Sequence, residues 1–323
     1  RMTRSHLSNI RPVTMVVTLA IGALGGWLAL LAHLPLALLL GSLTAVALVA
    51  IFGLKPFGQP PALPPQLRSA FVPVIGVAIG ASFTPDILSG ARHWWPSLLA
   101  LCVFIPAAHL AGYALLGRIA PFDKATAFFG TAPGGLIETV MMGEERGANV
   151  AMLTMLQFLR LILTIVLVPV AFTLMSGHAV GTASGVVLGG AIPLGLRDVA
   201  ILVTAGIIGA IAGHRLHLPA GLIFGPIVLS AAAHLAGLVQ GAPPNWLVGV
   251  TQVVVGSTLG TRFAGMRPRA VLTALRYSVL TTGITMLMAG FFALTLPGVV
   301  GESRQAVFLA FAPGGLTEMS LVA

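Results

Sequence analysis

The chain has 323 residues, of which 57% are hydrophobic and 8% charged, and its mean hydropathy is +1.01. A soluble domain carries about 25% charged residues, so composition excludes a soluble globular fold and implies a multi-pass membrane protein. The net charge is +9, but the 17 basic residues are strung between apolar runs, where they set membrane orientation rather than bind nucleic acid.

In chain order the predicted elements are all helical. A first span covers about 13–31, after Arg1, Arg4 and Arg11. No small-residue cleavage site accompanies it, so it reads as a retained span. A second span, about 35–52, precedes a Pro-rich polar loop over 55–68, and a third covers about 69–83. Arg92, His93, Trp94 and Trp95 mark a membrane interface. A fourth span follows at about 97–116, flanked by Arg118 and Lys124. Cys102 within it reads as a small buried hydrophobe, and a single cysteine excludes a disulfide framework. The segment 128–142 is apolar but interrupted by Pro133, Gly134 and Gly135. A long run over 148–175 then carries Arg160 in its middle, and a Gly-rich stretch over 178–196 leads to the second half. There the spans fall at about 199–213, 219–238, 247–259 and 271–296, followed by a second interrupted segment at 308–320.

The two halves repeat one another. Ala132-Pro133-Gly134-Gly135-Leu136 recurs as Ala312-Pro313-Gly314-Gly315-Leu316, and Glu138 recurs as Glu318, each 180 positions on. His33-Leu34-Pro35 recurs as His217-Leu218-Pro219, and Gly25 and Gly41 recur as Gly209 and Gly225, 184 positions on. Gly76 and Gly80 match Gly256 and Gly260, two GxxxG pairs that let helices approach closely. The predicted fold is an all-α polytopic membrane protein with two homologous repeats, residues 12–176 and 197–323. Each repeat has about five spans and one Pro-Gly-Gly-broken helix, and the second is expected to lack its last helix, the counterpart of the one bearing Arg160. Basic loops shift by one position between the halves, which predicts inverted repeats and a cytoplasmic N-terminus. Parallel repeats with scattered arginines are the alternative.

The broken segments carry the chemistry. An unpaired backbone group in hydrocarbon costs several kcal/mol, so such a break persists only against protein or a water-filled cavity. Paired breaks in inverted repeats point to a transporter site near the bilayer midplane. A helix starting at Pro133 would offer free amides and a dipole that favours an anion. Glu138, about one turn in, suits a proton or a cation, and Arg160 is its candidate partner. A kinked packing helix and a buried structural ion pair are the competing readings. The candidate substrate- or ion-binding residues are Thr131, Pro133, Gly134, Gly135, Glu138, Arg160, Pro313, Gly314, Gly315, Thr317 and Glu318, with Thr139, Asn149 and Gln157 as further polar neighbours. The histidines form no ligand cluster, and His109 and His234 read as packed or hydrogen-bonded. No cofactor, metal set or nucleotide fingerprint is expected.

At these residues the chain resembles the AbrB-type duplicated membrane proteins of bacteria, also labelled ammonia monooxygenase. The resemblance rests on APGGL followed by glutamate at 132–138 and 312–318, and on Gly147-Ala148 followed by Leu159-Arg160-Leu161. It implies an inner-membrane protein with two copies of one domain and a regulator label. The monooxygenase label lacks a suitable ligand set. The expected function is secondary transport or export of a small solute, an anion by the helix-start argument, with proton coupling open and no enzymatic activity. The alternative is a membrane sensor that alters gene expression through a partner. The expected partners are the lipid bilayer and a small-molecule or ion substrate, with self-association left open.

Overall fold

A computed structural model describes residues 10–34, 36–83, 85, 94–133, 136–176, 194–218, 220–300 and 303–312. The described elements are helical: α1 (Pro12–Leu31), α2 (Ala37–Ile51), α3 (Pro65–Gly80), α4 (Trp95–Ile119), α5 (Lys124–Thr131), α6 (Leu136–Glu145), α7 (Val150–Ser176), α8 (Leu196–Arg215), α9 (Gly221–Leu235), α10 (Asn245–Gly260), α11 (Pro268–Thr295), α12 (Pro297–Val300) and α13 (Arg304–Phe311). Helices α1, α4, α7, α8 and α11 are long and apolar enough to cross a bilayer, as expected of a multi-pass membrane protein. Chain contacts divide the molecule into two compact units, residues 1–89 with 178–266 and residues 90–177 with 267–319. These units are not the sequence repeats: each takes one part from 12–176 and one from 197–323.

The first unit holds α1–α3 and α8–α10. Helices α1 and α2 form an antiparallel pair in which Gly25 lies on Gly41 and Gly26 on Leu38; α8 and α9 do the same through Gly209 on Gly225 and Gly213 on Gly221. The turns joining these pairs are alike. His33 and Leu36 have φ of 53° and 47°, and His217 and Ala220 have 53° and 50°. Left-handed backbone costs a non-glycine residue about 1–2 kcal/mol, which burial of Leu36 helps to offset.

The third helix of each half leaves its own hairpin. A Cβ on Gly76 would lie 2.6 Å from the Ile223 carbonyl oxygen, and one on Gly80 2.7 Å from that of Ile227. Correspondingly, Gly256 meets Leu39, and a Cβ on Gly260 would lie 2.8 Å from the Leu43 carbonyl oxygen. Thus α3 runs parallel to α9, and α10 runs parallel to α2. The loop after α2 returns to the start of α1: the Arg11 amide and the Thr14 hydroxyl donate to Gln59 Oε1, and the Ala62 amide donates to Thr18 Oγ1. Helix α3 therefore starts at the level where α2 and α10 end. It packs along α10 and so runs opposite to it. It follows that α9 opposes α2, and α8 opposes α1.

One end of this unit collects Arg11, Lys55, Arg68, Arg215 and Arg262, whereas Arg197, beside Asp198, is the one Lys or Arg at the other end among the described residues. Burial, and then the charge of Arg68, lowers the pKa of Arg262 in the turn after α10, in keeping with a crowded cationic end.

The second unit holds α4–α7 and α11–α13. Helix α11 packs on α4, α7 and α13, and the rings of Phe104, Phe292 and Phe311 meet with centroids 5.1–5.6 Å apart. Helices α5 and α13 have eight residues each, about 12 Å and far short of the ~30 Å hydrocarbon core. Their starts correspond: Asp123 accepts the Thr126 amide, and Ser303 Oγ accepts the Ala306 amide. Cys102 is exposed on α4 rather than buried. A membrane helix is apolar on its outer face too, so hydropathy does not mark the packed side.

Candidate functional site

Helix α5 stops at Thr131, and Ala132 is extended, with φ −61° and ψ 124°. In a continuing helix the Phe129 carbonyl would receive the amide of residue 133, but proline has none. Helix α7 supplies the substitutes. Gln157 Nε2 donates to the Phe129 carbonyl at 2.5 Å and to that of Ala132 at 3.0 Å, and Arg160 Nη1 donates to the Ala132 carbonyl at 2.6 Å. Gln157 and Arg160 lie about one turn apart on α7, at 0% and 8% exposure. A cation at a helix C-terminus also opposes the negative end of the dipole. Arg160 Nε has no hydrogen-bond partner among the described residues.

A cavity of about 160 Å³ opens beside this break. Thr131, Pro133 and Arg160 line it from the first half, and Phe311 and Ala312, the end of α13, line it from the second. The C-terminal ends of α5 and α13 thus meet at one cavity inside the second unit. His109 from α4 and Thr285 from α11 complete the polar wall. The Thr131 hydroxyl donates to the Ala127 or Phe128 carbonyl at 3.0–3.1 Å and lies 3.4 Å from His109 Nδ1. The His109 ring rests edge-on against Phe128, with centroids 4.5 Å apart. No carboxylate lines the cavity among the described residues, so its one fixed charge there is the arginine.

Of the residues expected from sequence, Thr131, Pro133 and Arg160 come together at the cavity. Gly134, Gly135, Pro313, Gly314, Gly315, Thr317 and Glu318 lie outside the described residues. Glu138 belongs to α6, but its side chain is outside the description, and so is its expected pairing with Arg160. The described partner of Arg160 is the Ala132 carbonyl. Three expectations change. The helix restarts at Leu136, not at Pro133, because Ala132 and Pro133 are non-helical, and the end of α5 presents its carbonyls to Gln157 and Arg160. Asn149 is exposed and takes part in starting α7: it accepts the Met152 amide, and its own amide donates to Thr126 Oγ1. Gln157 stands behind the cavity wall, holding the break open, and does not line it. His109 is packed and in hydrogen-bond contact, as expected, and it also lines the cavity. Its signal was there, a titratable group in an apolar span. Among the described residues no three His, Cys, Asp or Glu gather as a metal set.

Comparison with known proteins agrees with the resemblance. The family model described as "Transition state regulatory protein AbrB" matches residues 57–323. "Uncharacterized protein YhjN" of Bacillus subtilis is 30% identical over 267 residues, 76% of this chain and 67% of its own length. "Putative regulator AbrB" of Escherichia coli is 26% identical over 297 residues, 90% of this chain and 82% of its own length. With the family model matching well over half of its length, this chain belongs to the AbrB family.

Proposed function

We propose that this AbrB-family chain is an inner-membrane secondary transporter of a small anionic solute, built from two inverted repeats, and not an enzyme. The observation that carries the reading is that the ends of two short helices, α5 and α13, each running into a Pro-Gly-Gly sequence, share one cavity with a buried arginine. Broken helices at matching places in two halves are the hallmark of a transport site, and a buried guanidinium whose Nε–H has no partner among the described residues is a ready partner for an anion. Inversion is supported by the opposed directions of α1 and α8, α2 and α9, and α3 and α10. The N-terminus is assigned to the cytoplasm because it lies at the basic end of the first unit. The regulator name printed for the Escherichia coli relative favours a second reading, a membrane sensor in which the same cavity would detect the anion. Uptake by purified protein in proteoliposomes, across a panel of small anions, separates the two. Accumulation of an anion inside the vesicles is the expected result. Binding of an anion without accumulation would favour the sensor.

A further inference from the structure

We infer that the cavity of the second unit takes a small monocarboxylate, and that His109 takes up the proton that accompanies it; the inference rests on the anion-transport reading above. Size sets the first limit. At about 160 Å³ the cavity holds about five water-sized groups at ~30 Å³ each, enough for a carboxylate with one to three further atoms. Charge sets the second. Arg160 is the single fixed charge on the described wall, so one negative charge is matched and a second is not.

The proton argument comes from His109 and its neighbours. The Thr131 hydroxyl reaches the Ala127 and Phe128 carbonyls of its own helix at 3.0–3.1 Å and lies 3.4 Å from His109 Nδ1. With its hydrogen on either carbonyl, its oxygen accepts from Nδ1–H, the neutral tautomer that leaves Nε2 to take a proton. Among the described residues, the charged and titratable groups facing His109 are few. Helix α7 contributes Arg160, α5 contributes the Thr131 hydroxyl, α11 contributes Thr285, and α13 contributes apolar groups. A monoanion held beside Arg160 also faces His109 across the cavity, and its charge favours a proton on Nε2, taken from solvent. One anion and one proton enter together, so the loaded cavity has the same net charge as the empty one.

The test uses the full chain purified in detergent, with radiolabelled pyruvate as probe. Pyruvate is fully ionised from pH 5.5 to pH 8, so a pH effect reports on the protein. Wild type should bind pyruvate on the order of tenfold more tightly at pH 5.5 than at pH 8, the effect of one added cation a few ångströms away. His109→Gln should bind with the weaker affinity at both pH values. Binding by wild type in weakly buffered solution near pH 7 should draw protons from the medium, a readout that does not depend on the variant folding. Flat affinity in wild type, no proton uptake, or a surviving pH effect in His109→Gln would overturn the role of His109. If succinate binds and pyruvate does not, the monocarboxylate class is wrong, while the anion reading stands. If pyruvate binds with the expected pH dependence but proteoliposomes do not accumulate it, the transport reading fails and the site survives.

Discussion

The most direct test of how the break is held is a double-mutant cycle on Pro133 and Gln157. Proline at 133 removes the amide that the Phe129 carbonyl would receive in a continuing helix, and Gln157 Nε2 takes its place. In Gln157→Leu the Phe129 carbonyl is left bare, while the Ala132 carbonyl keeps Arg160. Leaving a buried acceptor without its donor costs about 1–3 kcal/mol, so the variant should lose about that much. Pro133→Ala restores an amide four residues after Phe129. In that background Gln157→Leu should cost less, with a coupling of about 1–3 kcal/mol. Unfolding in mixed SDS and detergent micelles, followed by tryptophan fluorescence, measures all four corners. If the two losses add within about 0.5 kcal/mol, Gln157 is not substituting for the missing amide and the account of the break is wrong.

Three further outcomes are expected. In a Cys102→Ser background, needed because Cys102 is exposed, single cysteines in 59–66 and in 265–269 should label from the cytoplasm and those in 238–243 from the opposite side; opposite labelling of the first two groups would remove the inverted arrangement. Gly76→Val should disrupt the first unit, since its Cβ would meet the Ile223 carbonyl, whereas Gly283→Ala, with nothing within 4 Å, should be neutral or stabilising by about 0.5–1 kcal/mol; trypsin resistance of the folded chain reads both. Asp123→Ala should cost about 1 kcal/mol as a lost helix cap. Desolvation raises the Asp123 pKa, but hydrogen bonds from the Thr126 hydroxyl and from nearby amides bring it below its ordinary value. The cap is therefore at full strength above the unfolded carboxylate value, about 3.9, and weakens as pH falls through the lower folded value. Thermal midpoints of wild type and Asp123→Ala should accordingly converge in acid.

Helix existence and order were legible because each span is a long apolar run, and helix ends fell within a few residues of Pro12, Pro65 and Pro268, where proline suits a first turn. The glycine matches were legible as close approaches, and Gly25 with Gly41 and Gly209 with Gly225 prove to be one another's partners. Their exchange between halves was not, since a GxxxG pair states that something comes close without saying what. At the site, Pro133 and Arg160 stood out because proline and charge are rare events in an apolar run. The carbonyl partner of Arg160 was not legible, because charge points to a carboxylate and gives no sign of the carbonyls left without an amide at the break. Gln157 and His109 were hard to rank because neither periodicity nor charge distinguishes a polar side chain that serves a backbone from one that faces a cavity.

The exchanged third helices have a consequence for how the molecule is made. The Ser230 hydroxyl donates to the Val77 carbonyl across 153 residues of chain. At about 5–20 residues per second, the glycine face of α3 waits roughly 8–30 s in the bilayer before α9 exists to cover it. During that interval the first three helices form a hairpin with an unmatched arm, able to pair with any helix that offers carbonyls at the right spacing. Completion of the first unit is therefore a late event, gated by synthesis of α9 and α10. By the same contacts, halves made as separate chains should find each other in the membrane and close as a heterodimer.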